Sequence, residues 1–273
     1  MTHAVRRTAL VTGASAGIGR ELARIFAESG FDLVLVARRR ERLDALATEI
    51  ERSMGTTSRV LVEDLADPGA PERIAGVLAQ EGIVIDALVN NAGYGLGVPF
   101  TRAAWRQEAD FLNVLLTSVV HLTHLFVPGM VERRWGRVLN VSSVAAFVPE
   151  RPGDLYAPVK SFVVRFSRSL ALEMEGSGVH VTALCPGFTY SEFHDVLGVR
   201  AEVSKLPRWM WMDAETVARQ GYEAVMRGDP ICVNGAWNRF VVTVCRLLPA
   251  SAIRALSPSA ALRRKAFQAR KNG

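Results

Sequence analysis

Thr12-Gly13-Ala14-Ser15-Ala16-Gly17-Ile18-Gly19 sets three glycines between an apolar run at residues 8–12 and a helix-like stretch at residues 20–29. Glycine permits a sharp turn and a close backbone approach to a bound group. A diphosphate at such a turn lies against the N-terminus of the following helix, where free N–H groups and the helix dipole favour negative charge. A glycine triplet alone is a weak signal, because ordinary tight turns use glycine too. The flanking strand and helix supply the context that the motif needs.

Outward from this loop, short Val/Ile/Leu runs alternate with helical stretches. Strands are expected at residues 33–37, 60–62, 85–90, 138–141 and 179–185, and helices at 42–52 and 71–80. Continuous apolar runs separated by helices indicate a parallel sheet covered on both faces. The expected fold is α/β: a doubly wound, Rossmann-like parallel sheet in one domain over residues 1–230. Residues 231–273 are expected to form a basic, partly amphipathic C-terminal extension.

The 273 residues, 49% of them hydrophobic, suffice for one large core. No run of eighteen apolar residues occurs, so no membrane span is expected. The basic start, Met1 to Arg7, runs directly into the glycine loop and does not read as a cleavable signal. Cys185, Cys232 and Cys245 form neither a metal pattern nor a disulfide framework, which points to a reducing cytoplasm and no metal. From Pro230 to Gly273 there are eight Lys/Arg and no acid, so the rest of the chain carries about −2 of the net +6. Either a solvated tail or contact with an anionic membrane surface fits this charge. No nucleic-acid motif accompanies it.

The second strand runs into Ala37-Arg38-Arg39-Arg40. An NAD site usually places a carboxylate here for the ribose 2′-hydroxyl. Arginine instead suits a 2′-phosphate, so NADP(H) is expected over NAD(H), with Arg38 as its ligand. Asp64, ending the third strand, stands where it can accept from the adenine amino group; a helix-capping Asp is the alternative.

Tyr156 and Lys160 lie one helical turn apart, and Ser143 precedes the tyrosine by thirteen residues. A free phenol titrates near pH ~10, a poor base at neutral pH. A lysine charge beside it favours the phenolate, and a serine hydroxyl can fix a carbonyl oxygen. The trio suits proton transfer to and from a carbonyl oxygen.

These blocks resemble the short-chain dehydrogenase/reductase family. Thr12–Gly19, Asp64-Leu65, Asn90-Asn91-Ala92-Gly93, Asn140-Val141-Ser142-Ser143, Tyr156-Ala157-Pro158-Val159-Lys160 and Pro186-Gly187-Phe188-Thr189 follow its order and spacing over residues 5–195. The branch that it is most similar to holds 3-oxoacyl reductases and 17β-hydroxysteroid-dehydrogenase-like enzymes. The resemblance implies an oxidoreductase with Tyr156 as acid/base, Ser143 positioning the oxygen, and Lys160 tuning the phenol and binding ribose. It places cofactor contacts on Gly13, Ser15, Ala16, Gly17, Ile18, Gly19, Leu65, Asn90, Ala92, Gly93, Tyr156, Lys160, Pro186, Gly187 and Thr189. It also implies a homo-oligomer.

One position departs from the family. Its fourth catalytic residue, an asparagine that shapes a helix bend and holds a relay water, aligns with Leu115. Asn113 is two residues earlier, about 200° round a regular helix. A backbone carbonyl at Leu115 holding the water, a helix irregularity recruiting Asn113, and loss of the relay are the three readings. The last would leave an NADP(H)-binding regulatory or membrane-surface protein.

The resemblance implies a substrate lid near 190–215; there Leu197, Leu206, Trp209, Met210, Trp211 and Met212 offer adaptable apolar contact, and Phe147, Val148 and Pro149 another wall. An apolar ketone, aldehyde or alcohol is the expected substrate; core or subunit packing is the alternative for residues 209–212. Residues 240–248 and 253–256 mix apolar side chains with arginine. A membrane-surface helix, a cover over the lid and a dimer contact all fit them.

Overall fold

The computed structural model describes residues 6–148, 155–192 and 207–248. Seven parallel strands form one sheet in the order β3-β2-β1-β4-β5-β6-β9. They are β1 (Thr8–Thr12), β2 (Asp32–Ala37), β3 (Ser58–Val62), β4 (Ala87–Asn90), β5 (Gly136–Val141), β6 (Val179–Cys185) and β9 (Ile231–Val233). A second sheet pairs β7 (Phe188–Thr189) with β8 (Trp211–Met212).

Side chains alternate across each strand, and both faces are apolar. Ala9, Val11, Leu33, Leu35 and Val89 pack on one side with α1 (Gly17–Glu28), α2 (Arg40–Met54) and α7 (Ala214–Arg227). Leu10, Val34, Leu88, Val138 and Val181 pack on the other. There they meet α3 (Ala70–Gln80), α4 (Trp105–Leu112), α5 (Ser118–Glu132) and α6 (Tyr156–Glu173). Such two-sided cover is what near-continuous apolar strands require. The order of strands reverses between β1 and β4, so the C-terminal ends of the strands open a crevice beside the glycine loop.

Two features bear on the expected layout. The domain boundary set at 230 falls one residue short of β9, which pairs with β6 from Ala183↔Ile231 to Cys185↔Val233. The next helix, α8 (Ala236–Leu247), then turns back over the crevice. Second, the α4–α5 stretch Trp105–Glu132 is long and apolar enough, by length and composition, to cross a membrane. Phe111, Leu115, Leu122 and Met130 on it are nonetheless buried in the core, so it reads as a core helix.

Candidate active site

The glycine loop has the backbone that its sequence demands. Gly13 and Gly17 adopt φ of +68° and +54°, where side chains are strained. A β-carbon at Gly13 would lie 2.7 Å from Asn91 Nδ2, and one at Gly17 3.0 Å from Ser191 Cβ. The helix that follows starts bare: Ala16 at its N-cap gives no side-chain hydrogen bond, and its first turn has no acid. Its N–H groups therefore face the crevice as an anion site, which suits a diphosphate.

The loop is clamped to the end of β4. Thr12 Oγ1 accepts from Asn91 N at 2.9 Å and Ala92 N at 3.1 Å, while Asn91 Nδ2 donates to Thr12 O at 2.9 Å. Asn90 points the other way. It is 3% exposed, and its Nδ2 donates to Asn140 Oδ1 at 2.8 Å and Thr123 Oγ1 at 3.2 Å. Asn140 Nδ2 continues this buried chain to Ser167 Oγ on α6 at 2.9 Å. Asn91 lines the crevice, while the Asn90 side chain ties β4, β5 and the helices together. Gly19 also faces inward: a β-carbon there would strike Asn91 and the Gly13 backbone, so its role is close packing.

At the β2 end the arginines take separate partners. Arg38 approaches Asp64 at 3.7 Å, both well exposed. Asp64 Oδ1 accepts from Ala66 N at 3.0 Å, and the next helix is capped at Gly69, so Asp64 makes a turn and is not a helix cap. Arg39 donates to Ser15 Oγ at 2.9 Å and to Glu192 at 2.8 Å; sequence reasoning passed over it in favour of Arg38. Leu65, Ala92 and Gly93 also line the crevice.

The reacting end is built by β5, β6 and α6. Ser143 caps a short 3-10 turn, accepting from Ala145 N at 3.1 Å, which leaves its hydroxyl proton uncommitted by that bond. Ser142 Oγ donates to Lys160 O at 2.7 Å and pins α6 to the end of β5. Pro158 sits in the first turn of α6, where its missing N–H costs no helical bond. Lys160 is 5% exposed, and its Nζ donates to Val141 O at 2.8 Å and stands 5.7 Å from the Tyr156 ring centroid. Burial holds its pKa down at about 8, only partly offset by Cys185, whose own thiol burial pushes up to about 12.

Helix geometry changes at the family's asparagine position. Residues Asn113–Thr117 form a π-turn, with Ser118 N bonding to Asn113 O. The irregularity does not recruit the Asn113 side chain, which donates to Ala66 O at 2.9 Å. Leu115 is 1% exposed and packs in the core beside Gly93. Ser118 Oγ donates to Val114 O at 2.8 Å, covering the carbonyl next to the π-turn bond.

The third wall was not foreseen in this form. On α8, Trp237, Asn238, Val241, Cys245 and Arg246 line the crevice. A β-carbon at Gly187 would lie 2.6 Å from Asn238 Oδ1, so the helix presses on the Pro186-Gly187 turn. Arg246 stacks 4.8 Å above the Phe147 ring. The recurrence at 237, 241 and 245 was a helical stripe in plain view. Phe147, Val148 and Met210 line the same space. Trp211 is buried against Tyr190, with ring centroids at 4.8 Å, and Trp209 stands exposed 5.0 Å from Trp237. Pro149, Leu197, Leu206 and residues 253–256 lie outside the described residues. Tyr156, Lys160, Ser143, Pro186, Gly187 and Thr189 share this cleft of about 1620 Å³ with the glycine loop. That exceeds a single drug-sized ligand and leaves room for two molecules end to end. Among the described residues no cluster suits a metal ion.

Residues 7–198 match the short chain dehydrogenase family model. The protein belongs to the short-chain dehydrogenase family. It is an oxidoreductase of that family, and its anion seat and arginines fit NADP(H). It is 36% identical over 187 residues to a serine 3-dehydrogenase of Agrobacterium fabrum, covering 68% of this chain and 73% of that one. It is 35% identical over 189 residues to the NADP-dependent 3-hydroxy acid dehydrogenase YdfG of Escherichia coli K12, covering 68% and 75%. Among solved structures, a short-chain dehydrogenase from Sphingobium yanoikuyae in complex with NADPH superposes with a TM-score of 0.78 at 30% identity, over 88% of this chain and 93% of that one.

Proposed function

We propose that this oxidoreductase uses NADP(H) to interconvert an apolar ketone or aldehyde and its alcohol. The observation that carries the reading is that Ser143, Tyr156 and Lys160 share one cleft with a bare helix N-terminus and the arginines after β2. When bound, NADP(H) supplies or accepts the hydride. Tyr156 gives the proton to the carbonyl oxygen in reduction and takes it back in oxidation. Ser143 donates to that oxygen. Lys160, charged below pH of about 8, stabilises the phenolate and binds the nicotinamide ribose. Gly187 and Thr189 hold the far edge of the ring, and Arg38 with Arg39 hold the 2′-phosphate. Leu115 leaves this machinery in place, so turnover is favoured over a purely regulatory role. Action in the cytoplasm and assembly into a homo-oligomer go with this reading. The test is NADPH oxidation against a panel of apolar ketones and aldehydes, with Tyr156→Phe as control. Turnover that vanishes in the variant supports the reading; tight NADPH binding without turnover in either direction defeats it.

A second reading has its own support. The relatives are named for serine and 3-hydroxy acids. Arg165, Arg168 and Arg246 line the cleft, and none forms an ion pair with a carboxylate among the described residues. A hydroxy-acid substrate would give them a counter-ion. Adding L-serine and longer 3-hydroxy acids to the panel decides: a KM for acids that rises in Arg165→Ala and Arg246→Ala, with unchanged KM for neutral ketones, favours the acid.

The outward side of α8 carries Phe240 and Leu247, 59% and 78% exposed. With the basic tail it motivates a peripheral membrane contact. Flotation with anionic vesicles tests this, and protein left wholly in the soluble fraction ends it.

A further inference from the structure

Glu192 joins two parts of the molecule that are far apart in sequence. Its carboxylate accepts from Arg39 Nη1 at 2.8 Å and from Arg42 Nη1 at 2.5 Å, across about 150 residues of chain. Arg39 spends the rest of its guanidinium on Ser15, with Nη2 at 2.9 Å and Nε at 3.3 Å from Oγ. Both arginines hold the Glu192 carboxyl below the usual carboxylate range, Arg39 foremost. Glu192 is thus an anion at neutral pH. The residue before it, Ser191, lies against Gly17, where a β-carbon would meet Ser191 Cβ at 3.0 Å. The Ser191–Glu192 backbone therefore crosses the glycine loop, with the carboxylate reaching the arginines that follow β2.

A carboxylate in that place has a chemical consequence. The cationic seat that suits a 2′-phosphate already holds an anion supplied by the chain itself. A phosphate carries more charge and more acceptor oxygens than a carboxylate, and an arginine fork binds it in two-point fashion. We propose that Glu192 is a specificity-determining residue that occupies the 2′-phosphate seat as an internal counter-ion and is displaced when that phosphate binds. This rests on the NADP(H) reading above. Displacement takes Arg39 and Arg42 from Glu192 to the phosphate, and the freed carboxylate turns to solvent. A dinucleotide with a bare 2′-hydroxyl offers no charge to drive the exchange. The ion pairs are partly exposed, with each partner at 44–47% side-chain accessibility, so the exchange is cheap and reversible. Glu192 accordingly lowers the affinity for the phosphorylated cofactor without abolishing it.

The experiment uses the full-length protein and two probes, NADPH and 2′,5′-ADP, with NADH for contrast. Dissociation constants are measured by calorimetry for wild type and Glu192→Gln, which keeps the shape and removes the charge. Tightening of NADPH and 2′,5′-ADP by about three- to tenfold, with NADH changed less than about twofold, is expected. The gain should shrink as salt rises, because both the pair and the phosphate contact are screened. Equal or weaker binding of NADPH in Glu192→Gln overturns the proposal, as does parallel weakening of NADPH and NADH, which would make Glu192 a mere brace for the loop. Wild type that binds neither NADPH nor 2′,5′-ADP overturns the proposal and the cofactor reading together. Wild type that binds both, with an unresponsive variant, removes Glu192 alone.

Discussion

Leu115 and Lys160 meet at Gly93: a β-carbon there would lie 3.6 Å from Leu115 Cγ and 3.8 Å from Lys160 Nζ. Leu115 therefore sets an apolar side chain on the same glycine that the buried ammonium approaches. It adds to the apolar surroundings of Lys160, whose pKa burial holds at about 8. Leu115→Asn should restore a polar neighbour, raise that value and move the alkaline break in the kcat profile upward. A break that stays at pH of about 8, with kcat unchanged, would show that Leu115 does not set the lysine.

Tyr156→Phe removes the phenolic hydroxyl and keeps the ring. A loss of kcat of about 10²–10⁴ is expected, with the Kd for NADPH held within about threefold. Single-turnover kinetics beside fluorescence titration separates the two. A comparable loss of binding would place Tyr156 in holding cofactor and not in moving the proton.

Gly187 has no room for a methyl group, with Asn238 Oδ1 and Cγ at 2.6 and 2.7 Å from the β-carbon position. Gly187→Ala should cost about 1–3 kcal/mol and weaken cofactor binding. Adding Asn238→Ala should return most of both, measured by thermal unfolding and calorimetry. Failure of the second change to rescue would mean that strain lies in the turn itself.

Lys160 also makes stability depend on pH. Its folded pKa of about 8 lies below the ordinary 10.5. Between these values the unfolded chain binds more protons, so stability rises with pH, and the cost of the buried charge stands in full below about pH 8. Wild type should gain about 2–3 kcal/mol relative to Lys160→Met between pH 8 and 10.5 in urea unfolding. Parallel curves for the two proteins would place water beside the ammonium.

Asn90→Ala should unfold the protein more readily by about 1–3 kcal/mol, because Asn140 and Thr123 lose their buried partner. Cofactor affinity should stay within about twofold. Asn91→Ala should do the reverse, loosening the glycine loop and weakening binding.

The contrast between those two asparagines marks how much the sequence reveals. Glycine loop, strands and the Tyr156–Lys160 pair were readable because each rests on local rules: turn geometry, apolar runs, one helical turn. Which of Asn90 and Asn91 faces the cleft depends on strand alternation carried to its last residue, and the motif was read as a block. The contacts of Arg39 with Ser15 and Glu192 are not legible in the sequence, because only the fold brings Glu192 to that corner. Residues after 230 looked like a tail because three residues of strand and twelve of helix carry a weak local signal. The place of β9 and α8 comes from pairing with β6 and from Asn238 pressing on Gly187.

That last helix also gives the molecule an optical property. Trp237 lines the cleft, and Trp209, its edge-on partner 5.0 Å away, stands in solvent. An indole on the wall of the cleft responds to a ligand that displaces water from it. Occupancy of the cleft is therefore written into the intrinsic fluorescence of the chain, and arrivals and departures can be timed without attaching a label.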